Sequence, residues 1–206
     1  MSYSQQTIYL PSPSQKGNVS LEEAISRRRS VRDFSSEPIS QSQLSQILWA
    51  AQGITDTSFR YRTVPSAGAT YPLEIFVALG RNCVEGIDDG IYHYEANSHS
   101  LTLHQKGDLR LELARVALNE EAIYQAPVDI VICAQYSRTT LSYGNRGERY
   151  IHIEVGHAGQ NIYLQATALG LATFAIGAFH DEQVRQALRL DKQVKPLYIM
   201  PVGKPA

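Results

Sequence analysis

The segment "ERYIHIEVGHAGQNIYLQATALGL" constrains the fold of this chain more than any other. Apolar residues fall at positions 151, 155, 158, 162, 166 and 169. Steps of three and four trace one face of a helix, and Gly170 supplies its end signal. Gly156 and Gly159 lie in the interior of this helix, where each glycine costs roughly 1 kcal/mol relative to alanine. A helix accepts that cost when something comes close: another helix, a second subunit or a flat ligand. Close helix packing is the plainer of these readings. His152 and His157 lie on the same helix, and no Ser/His/Asp or Cys/His partnership is legible around them.

The remaining elements alternate less regularly. Ser20 caps a short helix over "SLEEAISRR", with Glu23 as its capping-box partner. "RRRSVRDFSSEP" has no helical period and is expected to be extended or irregular. Ser40 opens a helix with Leu44, Ile47, Leu48 and Ala51 on one face and Gly53 as its stop. "LEIFVALG", "GIYHYEA" and "SLTLHQ" read as strands between turn clusters. "DLRLELARVAL" reads as an Asp-capped helix, "APVDIVICAQY" as a buried strand and "ATFAIGAF" as a strand leaving through a glycine. "DEQVRQALRL" reads as a capped helix and "VKPLYIMPVG" as a last strand. Mixed helices and strands without strict βα alternation favour an α+β layered fold over a doubly wound one. Residues 1–18 are polar and broken by Pro11, Pro13 and Gly17. They read as an N-terminal arm, which leaves 19–206 as a single domain.

Several function classes have no support. The net charge of −1 provides no field for nucleic acid or an anionic membrane. No apolar run approaches the ~20 residues of a membrane span. The start of the chain lacks the pattern of a signal peptide, and no GxGxxG follows the first strand. Cys83 and Cys133 sit in apolar, strand-like surroundings without metal-ligand spacing. They read as core residues of a cytoplasmic protein, and no metal is expected.

Four places could hold a ligand. In an extended segment Arg28, Ser30 and Arg32 point the same way, and two guanidinium groups flanking a hydroxyl suit a phosphate. A solvated basic turn after a helix is the bland alternative. The loop at Ser66, Ala67 and Gly68 is made of small residues that let a ligand approach the backbone, and ordinary turns are made the same way. Gly177 and Ala178 end a strand, where their backbone N–H groups could bond a ring nitrogen or simply form a turn. Lys204, near the C-terminus, is a further phosphate partner or a loose terminal lysine. No nucleophile triad, metal-ligand set or carboxylate pair stands out, which suggests a cofactor that brings its own chemistry.

"RRSVRDF", "PSAGATYPLE", "GHAGQNIYLQATALGL", "AIGAF" and "YIMPVG" occur in the order typical of the flavin-dependent nitroreductase family. The chain most resembles its SagB-type, azoline-dehydrogenase branch, over roughly residues 20–204. The resemblance implies a three-layer α+β sandwich, with a mixed, mainly antiparallel sheet flanked by helices. It also implies an intertwined homodimer with FMN at the subunit interface. By that resemblance Arg28, Ser30 and Arg32 hold the FMN phosphate with help from Lys204. Ser66, Ala67 and Gly68 approach the isoalloxazine ring from the partner subunit. Gly177, beside Ala178, presents a backbone N–H near flavin N5. The implied chemistry is hydride transfer through N5, with NAD(P)H as reductant and a small organic molecule as acceptor.

One departure bears on the substrate. Azoline-oxidising members carry Lys-Tyr where this chain has Ser142 and Tyr143 in "LSYGNRGERY". Serine cannot supply a tunable cation, so a general reductase is favoured over an azoline dehydrogenase. Nor is a leader-peptide-binding domain legible. Tyr143 is the candidate proton donor, with a packed tyrosine as the plainer reading. A non-catalytic flavin-binding dimer is the alternative from another class.

Overall fold

The computed structural model describes residues 7–206. In chain order the elements are β1 (Thr7–Tyr9), α1 (Leu21–Arg27), α2 (Gln41–Gln52), β2 (Leu73–Leu79), β3 (Gly90–Glu95), β4 (Ser100–Lys106), α3 (Arg110–Val116), α4 (Glu121–Gln125), β5 (Val128–Gln135), α5 (Ser137–Tyr143), α6 (Arg146–Ala168), β6 (Ala172–Thr173), α7 (Asp181–Ala187) and β7 (Val194–Gly203). The strands form one sheet in the order β1-β4-β3-β2-β5-β7-β6, and every strand pair in it is antiparallel.

Side-chain alternation along β2 and β5 builds the three layers. Leu73, Ile75, Val77 and Leu79, with Val128, Ile130, Ile132 and Ala134, face the core under α2 and α6. Phe76, Ala78, Val131 and Cys133 face the opposite core, with Leu113 of α3, Ile123 of α4 and Val184 of α7. The strand β5 is buried on both faces, which is why its sequence is a near-continuous apolar run. The expected α+β sandwich is what forms.

The long helix α6 buries Ile151, Val155, Ala158, Ile162 and Ala166, the stripe that its spacing predicts. Gly170, just beyond it, has φ +70°, as a left-handed helix end requires. Its two interior glycines differ. A Cβ on Gly159 would stand 3.3 Å from the Tyr198 ring of β7, so that glycine admits an aromatic ring. A Cβ on Gly156 would meet nothing within 4 Å, and Gly156 is exposed.

Capping is more varied than expected. Ser20 accepts from the Glu23 N–H, but the Glu23 carboxylate is taken by Arg27. The complete capping box lies at Ser40 and Gln43. Asp108 does not cap α3 directly: Leu109 is the N-cap, and Asp108 Oδ1 accepts from the Arg110 N–H at 3.2 Å. Only Ala172–Thr173 of "ATFAIGAF" is strand. The Tyr163 hydroxyl accepts the Ala175 N–H at 2.8 Å and draws the chain off the ladder. An isolated bridge returns it at Ile176 and Ile199.

The expected N-terminal arm is not a free tail over its described part; positions 1–6 lie outside the described residues. Thr7–Tyr9 pairs with β4 as an edge strand, and Leu10 is buried. The Ser45 hydroxyl donates to Pro11 O at 2.5 Å and meets His99 Nε2 at 2.7 Å. Backbone pairing and one buried cluster therefore hold a polar segment that its composition alone leaves loose. Both cysteines are free thiols; Cys133 is buried in β5, whereas Cys83 is half-buried in a turn, not a strand.

Asp129 on β5 is fully buried, and neither carboxylate oxygen has a partner among the described residues. Burial pushes its carboxyl well above the usual range, against the pull of Arg110. The unfolded chain therefore loses this proton first as pH rises above about 4. Stability must fall with rising pH until the folded carboxyl also ionises. Asp129→Asn is expected to reduce the loss of stability between pH 5 and pH 8, measured by urea unfolding. An unchanged difference would remove Asp129 as a contributor.

Candidate functional site

The basic segment leaves α1 at Arg28, whose backbone turns extended at φ −50°, ψ 124°. It then runs beside β6, with the Val31 N–H donating to Thr173 O at 3.1 Å and Phe34 bridging Pro205. Packing against the sheet sorts its side chains. Val31 and Phe34 pack into the second core, while Ser30 and Arg32 are exposed and Arg28 is half-exposed. Arg29 turns back to donate to Ser26 O and Arg28 O at the end of α1.

Aromatic residues from the neighbouring elements support the outward side chains. The Arg28 guanidinium lies 5.2 Å from the Tyr163 ring centroid, and Arg32 lies 4.8 Å from that of Phe174. The Ser30 hydroxyl meets the Tyr163 hydroxyl at 3.0 Å. Among the described residues no carboxylate pairs with Arg28 or Arg32. Two guanidinium groups and a hydroxyl thus stand side by side without a counter-charge.

Tyr163 also carries the chain from Thr173 towards Gly177. Gly177 and Ala178 are exposed, and neither N–H has a partner among the described residues. A Cβ on Gly177 would lie 3.4 Å from Tyr198, an ordinary contact. The basic triad and the Gly177 turn are therefore neighbours through Tyr163. Lys204 takes another direction. Its ammonium pairs with Glu37 at 2.5 Å and borders a cleft with Asn82, Val84, Glu85 and Gly86.

The small-residue loop is a tight 3-10 turn over Ala67–Ala69. Gly68 has φ +60°, and Ala69 and Tyr71 also hold positive φ, at 52° and 43°. Such values are uncommon for residues with a Cβ and store strain. The Ser66 hydroxyl accepts the Tyr71 N–H at 3.0 Å, and the Thr70 hydroxyl donates to Ala67 O. Tyr143, at the end of α5, lies on this loop. A Cβ on Gly68 would stand 2.6 Å from its hydroxyl. The Tyr143 ring meets Tyr150 edge-on at 5.2 Å. The fold thus brings Tyr143 to Gly68, which no spacing in the sequence indicates. Ser142 beside it is exposed.

Beneath the loop is a polar cluster that sequence reasoning missed. Glu154 of α6 is 3 % exposed. It interacts with Ser66 of the loop, Arg62 and Gln52 of α2. Arg62 donates to Gln52 Oε1 at 2.7 Å and stacks 4.6 Å over Tyr71. Gln52 and Arg62 also line a cavity of about 460 Å³ with Glu74, His93, Glu95 and Arg138. Glu74 there is bound by Arg138 and by His93, the latter at 2.5 Å. These bonds hold the Glu74 carboxyl below its ordinary range although burial opposes them. The available signal was Glu154 itself, a charged residue on the apolar stripe between Ile151 and Val155.

The candidate residues thus fall into two groups on one chain. Ser66–Gly68 and Tyr143 gather near Glu154, while the basic triad and the Gly177 turn gather around Tyr163. Nine residues of α6 separate those anchors, roughly 13 Å along its axis. No group of His, Cys, Asp and Glu suited to a metal ion occurs among the described residues.

The nitroreductase family model matches residues 25–204. A Methanocaldococcus jannaschii protein designated a nitroreductase is 46 % identical over 186 residues, covering 90 % of this chain and 91 % of that one. The microcin B17-processing protein McbC of Escherichia coli is 25 % identical, covering 96 % of this chain and 75 % of McbC. A crystal structure of a Ralstonia eutropha protein designated a nitroreductase superposes with a TM-score of 0.87 at 26 % identity, covering 100 % of this chain and 92 % of that one. The order of motifs, the three-layer sandwich and these likenesses agree: the chain belongs to the nitroreductase family and is an oxidoreductase of that fold.

Proposed function

We propose that this protein is an FMN-dependent oxidoreductase that acts as a homodimer. The observation that carries the reading is the unneutralised pair Arg28 and Arg32 flanking Ser30, seated on Tyr163 and Phe174. That donor set fits a phosphomonoester: two planar cations with forked N–H groups and one hydroxyl. The unpartnered N–H groups of Gly177 and Ala178, next along the same surface, fit the polar edge of a flat heterocycle. In this reading the triad holds the FMN phosphate, and Lys204 assists only by leaving Glu37. Bound FMN supplies hydride transfer between NAD(P)H and a small organic acceptor. The chain's own part is to bind, orient and exclude water.

The dimer is supported by what one chain leaves unfinished. The Ser66–Gly68 loop and the basic triad gather at different anchors on α6, and in this reading the loop reaches the ring from the second copy. Tyr143 on that loop, Leu141 on the same helix α5 and Ile153 on α6 are exposed large apolar residues, and Gly156 offers a bare helix surface. No helix of the described residues is long and apolar enough to cross a membrane. The two free thiols accord with a reducing, cytoplasmic setting. The exposed Ser142 cannot act as a cationic catalyst, which favours a general reductase over azoline oxidation. Tyr143 is the side chain we assign to proton donation at the loop.

The purified protein is expected to show two flavin bands between about 300 and 550 nm and to oxidise NAD(P)H. A protein that stays colourless after FMN addition and desalting overturns the reading. Arg28→Ala and Arg32→Ala are each expected to weaken FMN binding by roughly 1.5–3 kcal/mol, about 10- to 150-fold. Unchanged fluorescence titrations in both variants would remove the phosphate assignment.

A further inference from the structure

We propose that Glu154 is a proton-holding positioning residue for the Ser66–Gly68 loop, deciding whether the Ser66 hydroxyl is a donor to the ligand or to the protein. The inference rests on the flavin reading of that loop. Its geometry does not: Glu154 is 3 % exposed and faces Ser66, and its Oε1 has no partner among the described residues. Gln52 Nε2 and Arg62 Nε, from the two side chains against it, are likewise buried without partners. A buried acceptor and two buried donors therefore stand together without closing on one another. In a packed interior that arrangement is costly, and a group that changes protonation explains it.

Ser66 gives the carboxyl its effect. The Ser66 oxygen already accepts the Tyr71 N–H at 3.0 Å, so its own O–H is the free hand. An ionised Glu154 accepts only and takes that O–H for itself. A protonated Glu154 can donate to the second lone pair of Ser66 Oγ, releasing the serine O–H towards a ligand. Burial raises the Glu154 carboxyl to about 7, against the pull of Ser66, Arg62 and Gln52. Both charge states are then populated at working pH. Among the groups acting on Glu154, Arg62 carries charge; Glu74, Arg138 and Tyr71 act on Arg62 from behind. His93 sits one step further, bound to Glu74 and Glu95.

The test combines amide NMR of the flavin-free protein between pH 5.5 and 8.5 with FMN titrations at pH 6 and pH 8. Each affinity is corrected for the ionisation of the FMN phosphate, whose second proton leaves at about pH 6. Riboflavin, which has the ring without the phosphate, supplies the correction. Wild-type Ser66, Ala67 and Gly68 amides are expected to follow one titration with a midpoint near 7. FMN is expected to bind about 3- to 10-fold more tightly at pH 6 than at pH 8, the worth of one hydrogen bond. Glu154→Gln mimics the protonated form. It should abolish the amide titration and bind FMN at both pH values as tightly as wild type does at pH 6. His93→Gln should keep both effects, and Ser66→Ala should remove the pH dependence of binding. Flat wild-type amides, or a titration that survives in Glu154→Gln, overturn the inference. FMN binding with no pH dependence overturns it while leaving the flavin reading intact. Failure to bind FMN at any pH sinks the flavin reading instead, and the amide titration then decides the role of Glu154 alone. If Glu154→Gln does not fold, the Ser66→Ala comparison carries the same decision: a pH dependence of binding that persists without the hydroxyl overturns it.

Discussion

Gly68→Val is expected to lower FMN affinity by roughly 100-fold or more, about 3 kcal/mol, while leaving the sandwich folded. Two effects combine. Gly68 holds φ +60°, a left-handed conformation that a β-branched residue resists; that strain costs about 1–3 kcal/mol. A Cβ there would also stand 2.6 Å from the Tyr143 hydroxyl, at the tip of a half-exposed side chain that must swing away. Removing Tyr143 separates the two. A Gly68→Val, Tyr143→Ala double variant relieves the clash and keeps the backbone strain. Flavin content and unfolding midpoints of the wild type, both single variants and the double variant apportion the loss. Normal flavin content and normal solution mass in Gly68→Val would show that the loop touches neither ring nor partner.

Arg110→Ala should destabilise the fold by about 3 kcal/mol, on the scale of breaking a largely buried ion pair. Arg110 is 8 % exposed. It holds Asp108 through two bonds, of 2.9 and 2.6 Å, and donates to Ala126 O at 2.5 Å, closing the α4–β5 corner. Gly80 makes room for it: a Cβ there would stand 2.1 Å from the guanidinium. Arg110 also lies near Asp129 and lowers the cost of that buried carboxyl. Its loss leaves an unpaired carbonyl, an unpaired aspartate and a gap beside Gly80. Arg110→Lys should recover only part, because an ammonium cannot reproduce the fork. Urea unfolding of the three proteins measures this, and a loss below about 1 kcal/mol for Arg110→Ala would show that the corner holds without it.

Local pattern made most of the layers legible. The stripe of α6, the start of α2 at Ser40 and the runs of β2, β3, β4, β5 and β7 depend on neighbours a few residues away. The exposure of Ser30 and Arg32 follows local alternation, whereas Phe34, at a position of the same parity, is buried because Phe174 and Pro205 take it in. Elements governed by distant partners were not legible. Strand β1 exists because β4 offers an edge, and β6 is short because the Tyr163 hydroxyl claims the Ala175 N–H. Helices α4 and α5 are too short for periodicity to announce them.

For the site the division is sharper. By itself the sequence determined the chemistry on offer: a basic triad on one face of an extended segment, a loop of small residues, and an otherwise unreactive chain. Only the tertiary structure decided what those groups meet. It seated Arg28 and Arg32 on Tyr163 and Phe174, laid Tyr143 on Gly68, tied Lys204 to Glu37, and buried Glu154 under Ser66. The physical reason is range. Backbone periodicity and capping are set within a turn or two of chain. A guanidinium's support or a carboxyl's proton is set by side chains brought together from elements far apart in sequence.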